Sequence, residues 1–317
     1  MATDAPAAPA EPSDDQADPT ETRESDRGLG DQLRDVGPGR VALYAVLLAL
    51  GAFYLAPLES GLLTAFKTQE AFFSTTPFAP PPIDGTTVAP WLSAFDTLSG
   101  GLVNSFILVV PATLISALLG SLAAYGLTNI DWRGQLVVLL LFVAGVFIPY
   151  QAVLVPLTRF WTMVGLNDLL AFWEPLASRA DLVALIITHA AYGIPICTVL
   201  FRSFYSTIDG EMLEAARLDG ASAATIYRRI ILPLSGPIFA VTLIYQFTQI
   251  WNDLLFALVL LSSPENQVVT IALNKLKGSM VQQYNLQMAG AFIAALPTLL
   301  VYVLFGEQFA EGVAGET

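Results

Sequence analysis

Charge is scarce in this 317-residue chain. Asp, Glu, Lys and Arg make up 13% of it, about half the usual share for a soluble domain. Hydrophobic residues make up 55%, and mean hydropathy is +0.62. An ordinary water-soluble enzyme is thereby excluded. Cysteine is almost absent: Cys197 stands alone, so no disulfide framework holds the fold. Positive charge is short too. The formal net charge of −13 argues against nucleic acid as a partner. His189 is the single histidine, and no His-Glu-x-x-His or cysteine–histidine cluster offers a metal site. No G-x-x-x-x-G-K-[ST] loop occurs, and none of the three lysines follows such a glycine pattern. The chain is therefore expected not to hydrolyse ATP, to need no cofactor and to have no catalytic residues of its own.

What is present is long charge-free sequence. No acidic or basic residue occurs in 41–58, 97–130, 134–158, 182–201, 230–252 or 278–306. A bilayer core takes about 20 apolar residues as helix, and a charge at its centre costs on the order of 2.5–3.5 kcal/mol. The windows predict six transmembrane helices near 41–58, 102–126, 135–156, 182–201, 236–259 and 286–305, and an all-α membrane protein. The loops facing one side then hold Arg23, Arg27, Arg34, Arg40, Arg133, Arg202, Arg217, Arg228 and Arg229. The other side holds Lys67, Arg159, Arg179, Lys275 and Lys277. The excess of Arg and Lys places both termini in the cytoplasm of a multi-pass plasma-membrane protein.

Residues 1–40 carry ten acids and four arginines among Ala, Pro, Ser and Asp. They lack the apolar segment of a signal peptide and read as a disordered acidic cytoplasmic tail, followed by a transmembrane domain over 41–317. Acidity continues there, with 17 acids against 10 bases and few lysines. That balance suggests adaptation to concentrated salt, as in halophilic archaea. Pro111, Pro149, Pro156, Pro195 and Pro297 fall in or at the ends of spans and predict kinks. Ser116, Gly120 and Ala124 recur at four-residue spacing and predict close approach of another helix.

The loop 207–234 between the fourth and fifth spans reads as two short helices. Asp209 is placed to cap the first and Gly220 to end it in the left-handed conformation. Ser222 is placed to cap the second and Pro233 to stop it. Ala215, Ala216, Ala221, Ala223 and Ala224 leave little bulk. Another protein's groove can accept such a hairpin, and so can a membrane surface.

Glu214, Ala215, Ala216, then Gly220 four residues on, then Ile230, Leu232 and Pro233 reproduce the EAA motif with its spacing intact. By this motif the chain resembles the permease subunits of ABC importers. Asn104-Ser105, Ala123-Ala124-Tyr125, Gly165-Leu166-Asn167-Asp168, Asp219-Gly220-Ala221-Ser222 and Trp251-Asn252-Asp253 occur in order. They resemble the carbohydrate-uptake branch, in particular the shorter membrane subunit of maltose-type permeases, over about 41–312. The resemblance implies a type I ABC importer transmembrane domain. The EAA loop would be a coupling helix seated in a cleft of an ATP-hydrolysing subunit, with Glu214, Ala215, Ala216, Asp219, Gly220, Ile230, Leu232 and Pro233 as its residues. It implies as partners a second permease, two ATP-binding subunits and an extracytoplasmic sugar-binding protein. Two departures stand out: Ile208-Asp209 replaces the usual Ile-Pro, and the C-terminal stretch lacks the branch's glycine-rich, lysine-containing end.

Asp253 is the main intramembrane carboxylate candidate. It is read either as a helix-end residue meeting headgroup water or, with Trp251 and Asn252, as part of the translocation path. In the latter case amide and carboxylate would serve sugar hydroxyls and the indole would stack on a ring. His189 reads as a packed core residue. The main alternative is an ABC permease for a non-sugar solute. An ion-driven secondary transporter would need facing intramembrane carboxylates in repeated halves, and only Asp253 qualifies. The halophile-like composition suggests a monosaccharide such as glucose, or a short glucan.

Overall fold

The computed structural model describes residues 38–276 and 283–314, with side chains described for 39–276 and 283–306. The predicted acidic tail, except its last three residues, and Lys277 lie outside the described residues. The chain divides into two units, Met1–Leu58 and Glu59–Thr317.

Among the described residues no strand occurs beyond an isolated bridge between Lys67 and Thr86. The main helices are α1 (Pro38–Ala65), α2 (Ala89–Thr128), α3 (Gln135–Val146), α4 (Tyr150–Val164), α5 (Ala180–Tyr205), α6 (Gly210–Leu218), α7 (Ala223–Leu234), α8 (Gly236–Trp251), α9 (Leu255–Leu260) and α10 (Tyr284–Ala314). Helices α1, α2, α5 and α10 are each long and apolar enough to cross a membrane. Two bent helix pairs are long and apolar enough when each is taken together: α3 with the helical stretch from Tyr150 to Leu169, at 101°, and α7 with α8, at 76°. Counting each pair once gives the six expected spans.

Three sequence expectations change in detail. The third span is not continuous over 135–156. It breaks at Phe147–Pro149, because Pro149 has no N–H to donate and drives Ile148 away from helical geometry. The fifth span does not run on to 259. Helix α8 ends at Trp251, and the polar side chains of Asn252 and Asp253 satisfy backbone groups freed by the turn before α9. Pro233 does not stop α7, which runs to Leu234. It follows a π turn over Tyr227–Ile231, in which the Leu232 N–H reaches back to the Tyr227 carbonyl. The wider turn leaves room for a proline ring that clashes with an α-helical carbonyl.

Helix α2 has 40 residues, about 60 Å of helix against a core of about 30 Å. It packs along α5 through the predicted small-residue stripe. A Cβ on Gly120 would sit 2.5 Å from the Cys197 Cβ and 3.0 Å from the Thr198 nitrogen. The Ser116 hydroxyl, which donates to the Ala112 carbonyl of its own helix at 2.7 Å, is also 3.2 Å from the Ala190 carbonyl across the same seam. Pro111 and Pro195 lie within these two helices, which run on through them. Unit Glu59–Thr317 holds two apolar cores. One gathers Leu98, Leu108, Leu185, Trp251, Phe256 and Val269. The other lies against the α6–α7 hairpin. Helices α3 and α4 bury no residue in this chain.

Candidate functional site

Hairpin α6–α7 is built from local signals. The Asp209 carboxylate accepts the Glu211 N–H at 2.9 Å and opens α6. Gly220 closes it at φ +82°. There the Ala221 N–H bonds the Ala216 carbonyl and the Gly220 N–H the Arg217 carbonyl, the paired bonds of a Schellman end. Ser222 accepts the Thr225 N–H at 3.2 Å and opens α7.

One face of the hairpin is anchored. Leu213, Ile226 and Ile231 are buried against Ala117, Ala124, Phe201 and Tyr205 of α2 and α5. Tyr125 donates to the Ala223 carbonyl at 3.0 Å, and Arg217 donates to the Asn129 carbonyl at the end of α2. The other face is open. Glu214, Ala215, Asp219 and Gly220 are exposed, and Leu218 is 89% exposed. Ala216 and Ile230 are half-buried, whereas Leu232 and Pro233 are exposed. The hairpin thus divides between a root of Leu213, Ile226 and Ile231, which lie outside the motif, and a bare tip of carboxylates, alanines and one leucine.

The second group of candidates is brought to the end of α8 but is not presented together. Trp251 is 2% exposed. Its indole N–H donates to the Ala294 carbonyl at 2.9 Å, and its ring stacks on Phe247. It is core here and does not offer a face to a sugar. Asn252 is exposed, donating to the Thr248 carbonyl. Asp253 turns inward. Its Oδ2 accepts the Phe256 N–H at 3.1 Å and lies 3.4 Å from His189 Nε2, with side-chain exposures of 6% and 3%. Tyr150, Tyr192 and Phe256 contact one another at 4.7–5.1 Å between ring centroids, and Phe256 meets the His189 ring edge-on at 5.4 Å. His189 is the packed residue expected, but it faces Asp253.

Two features were not foreseen. On α8 the exposed positions near its end are Tyr245 and Gln249, followed by Asn252 just beyond it. Gln249 donates to the Tyr245 hydroxyl at 3.1 Å. Spacing of four and three residues puts all three within about 60° of arc. The signal was a polar i, i+4, i+7 stripe inside a charge-free run. The other is Asp181, whose carboxylate accepts the N–H groups of Leu182, Ser262 and Ser263 and the Asn266 amide. It ties the segment after α9 to the start of α5. Asn104 and Ser105 hold the same segment to α2 through the Glu265 and Gln267 carbonyls and the Val269 N–H. Beside it lies a cavity of about 400 Å³ bordered by Trp161, Asn167, Asp181 and Ser262. Lys67, after α1, is 1% exposed, and its ammonium donates to the Thr76 carbonyl. Burial lowers its pKa below the ordinary value. Among the described residues no group of three or more His, Cys, Asp or Glu could hold a metal ion.

Residues 116–309 match the family described as binding-protein-dependent transport system inner membrane component. A xylose/arabinose import permease protein of Haloferax volcanii is 48% identical, over 90% of this chain and 95% of that protein. A glucose import system permease protein of Saccharolobus solfataricus is 30% identical, over 85% and 92%. The crystal structure of a bacterial ABC transporter involved in the import of alginate contains a chain that superposes with a TM-score of 0.72. It covers 89% of this chain and 98% of that one at 17% identity, a likeness of fold.

Proposed function

The chain belongs to the family of inner membrane components of binding-protein-dependent transport systems, and from that premise we propose that it is the membrane-spanning subunit of an ATP-driven importer of carbohydrate. The observation that carries the reading is the division of the hairpin. Leu213, Ile226 and Ile231 are buried at its root, while Glu214, Ala215, Leu218 and Gly220 are bare at its tip. A surface ornament needs no such root. A lever between a motor and the membrane bundle needs both a fixed root and a free tip.

Its partners are a second permease, two ATP-binding subunits and an extracytoplasmic sugar-binding protein, and both of its termini are cytoplasmic. Closure of the ATPases drives the tip, and the root passes the displacement to α2 and α5. The subunit favours the outward-open state only when the motor is closed, since a partner shifts an equilibrium by no more than its differential affinity. Glu214, Ala215, Ala216, Asp219 and Gly220 form the coupling surface, and Ile230, Leu232 and Pro233 shape the return into α8. Asn252 lies on the sugar path with Tyr245 and Gln249, because a polar stripe on a membrane helix is costly unless it faces water, a partner or a polar substrate. Asp253 and Trp251 act one layer behind, holding the helix end. Hydroxyls, amides and an aromatic ring suit a sugar. Pentoses and glucose are the first candidates, as the names of the two permeases suggest.

The test is ATP-dependent uptake of labelled xylose, arabinose and glucose into vesicles holding the assembled importer. Uptake of at least one sugar that falls in Gln249→Ala and Asn252→Ala supports the reading. Uptake of a peptide or polyamine with no sugar uptake refutes it.

A further inference from the structure

Four hydroxyls are buried where the hairpin meets the bundle. Ser121 is on α2, Tyr205 ends α5, Tyr227 is in the π turn of α7, and Ser235 lies between α7 and α8. Their exposures are 0%, 1%, 9% and 0%. The Ser121 Oγ is 2.6 Å from the Tyr205 Oη and 2.7 Å from the Tyr227 Oη. Ser235 is 3.4 Å from the same Tyr205 oxygen and donates to the Ile231 carbonyl. One serine hydroxyl, with one proton and two lone pairs, therefore joins three chain segments 84 and 106 residues apart in sequence.

We propose that Ser121, Tyr205 and Tyr227 are the joint that makes the hairpin, α2 and α5 move as one body. The proposal rests on the coupling function assigned above and adds the residues that transmit it. Apolar contact alone is a poor transmitter, because it is non-directional and lets surfaces slide. A hydroxyl bond is short-ranged and angular, and each partner is costly to leave unpaired when buried. A displacement of about 1 Å along the Ser121–Tyr227 bond, the link that crosses from bundle to hairpin, takes it beyond hydrogen-bonding distance. Helices α2 and α5 are already locked by Gly120 against Cys197 and by Ser116 on the Ala190 carbonyl. The hydroxyl group adds the hairpin to that pair. It ends at Ser235, just before the 76° bend that begins α8.

These are positioning residues, and the readout is the number of sugars imported per ATP hydrolysed by the reconstituted importer. Tyr227→Phe deletes one oxygen and keeps the ring, and Ser121→Ala deletes the shared serine oxygen. Thr198→Val is the control, because the Thr198 hydroxyl, also 0% exposed, bonds only the Ile194 carbonyl of its own helix. The ratio should fall about fivefold or more in Tyr227→Phe and further in Ser121→Ala. ATPase subunits should stay bound, and Thr198→Val should match wild type. An unchanged ratio in both joint variants overturns the proposal. So does an equal fall in all three, which would report general packing. If Ser121→Ala does not assemble, Tyr227→Phe alone decides. Absence of ATP-driven uptake in the wild-type complex refutes the transport function itself and is read separately.

Discussion

Gly220 holds φ +82° at the tip of the hairpin, and no heavy atom lies within 4 Å of where its Cβ would be. A side chain there meets no neighbour, so the whole cost of a substitution is in the backbone. The left-handed conformation costs an L-residue roughly 1–2 kcal/mol. Asparagine tolerates it better, and β-branched residues tolerate it least. If the hairpin docks in the turn seen here, Gly220→Ala lowers the population of the docking-competent turn by about 5- to 30-fold. Sugar uptake per ATPase complex should fall within that range. Gly220→Asn should fall less and Gly220→Val more. The assay is ATP-driven sugar uptake in vesicles, normalised to the amount of bound ATPase subunit. Wild-type uptake in both the Ala and Val variants refutes the reasoning. A ranking by side-chain volume, with Asn worse than Ala, also refutes it, because it would place the cost in docking clashes rather than in backbone strain.

Other consequences can be measured alongside. Gly120→Leu drives side-chain atoms into the Cys197–Thr198 backbone of α5, and overpacking of this kind costs about 1–3 kcal/mol; the detergent-solubilised protein should melt several degrees lower. Asp253→Ala leaves the Phe256 N–H without its acceptor and removes the carboxylate 3.4 Å from His189, and should cut uptake sharply at normal expression, while Asp253→Asn, which keeps an acceptor for Phe256, should retain more; equal uptake in Asp253→Ala and wild type removes the helix-end role. Lys67 binds its proton less readily folded than unfolded, so stability should rise as pH climbs through its lowered value toward the ordinary value near 10.4; Lys67→Met should abolish that rise in melting curves. The acidic surface predicts a higher melting temperature in molar potassium chloride than in dilute buffer, and the opposite order would reject the salt-adapted reading.

The hairpin was legible because its determinants are local. Asp209, Gly220 and Ser222 are capping residues, and each caps where its chemistry says it should. The seam between α2 and α5 was legible from Ser116, Gly120 and Ala124, since small residues at helical spacing mean close approach whatever the partner. Charge-free windows located the spans but not their continuity: an uncharged run reads the same whether it is one helix or two halves turned at Pro149. The end of α8 depended on Asn252 and Asp253 finding backbone partners, and the inward turn of Asp253 depended on His189, 64 residues away. Asp181 and Lys67 looked like ordinary loop charges. Only the tertiary fold gives the former three of its four N–H donors and buries the latter. Ser121, Tyr205 and Tyr227 are common residues at unrelated spacings, and their meeting could not be read from one dimension.

The account stands on the hairpin tip touching a nucleotide-hydrolysing subunit on the inner side of the membrane. The native Cys197 is buried, so Leu218→Cys creates a single accessible thiol at a position that is 89% exposed. A short thiol-anchored photo-crosslinker at that position, in the assembled importer, is predicted to capture the ATP-binding subunit, with ATP changing the yield. Labelling of the same thiol by a membrane-impermeant reagent applied only from outside intact cells, with no capture of an ATPase, would contradict it.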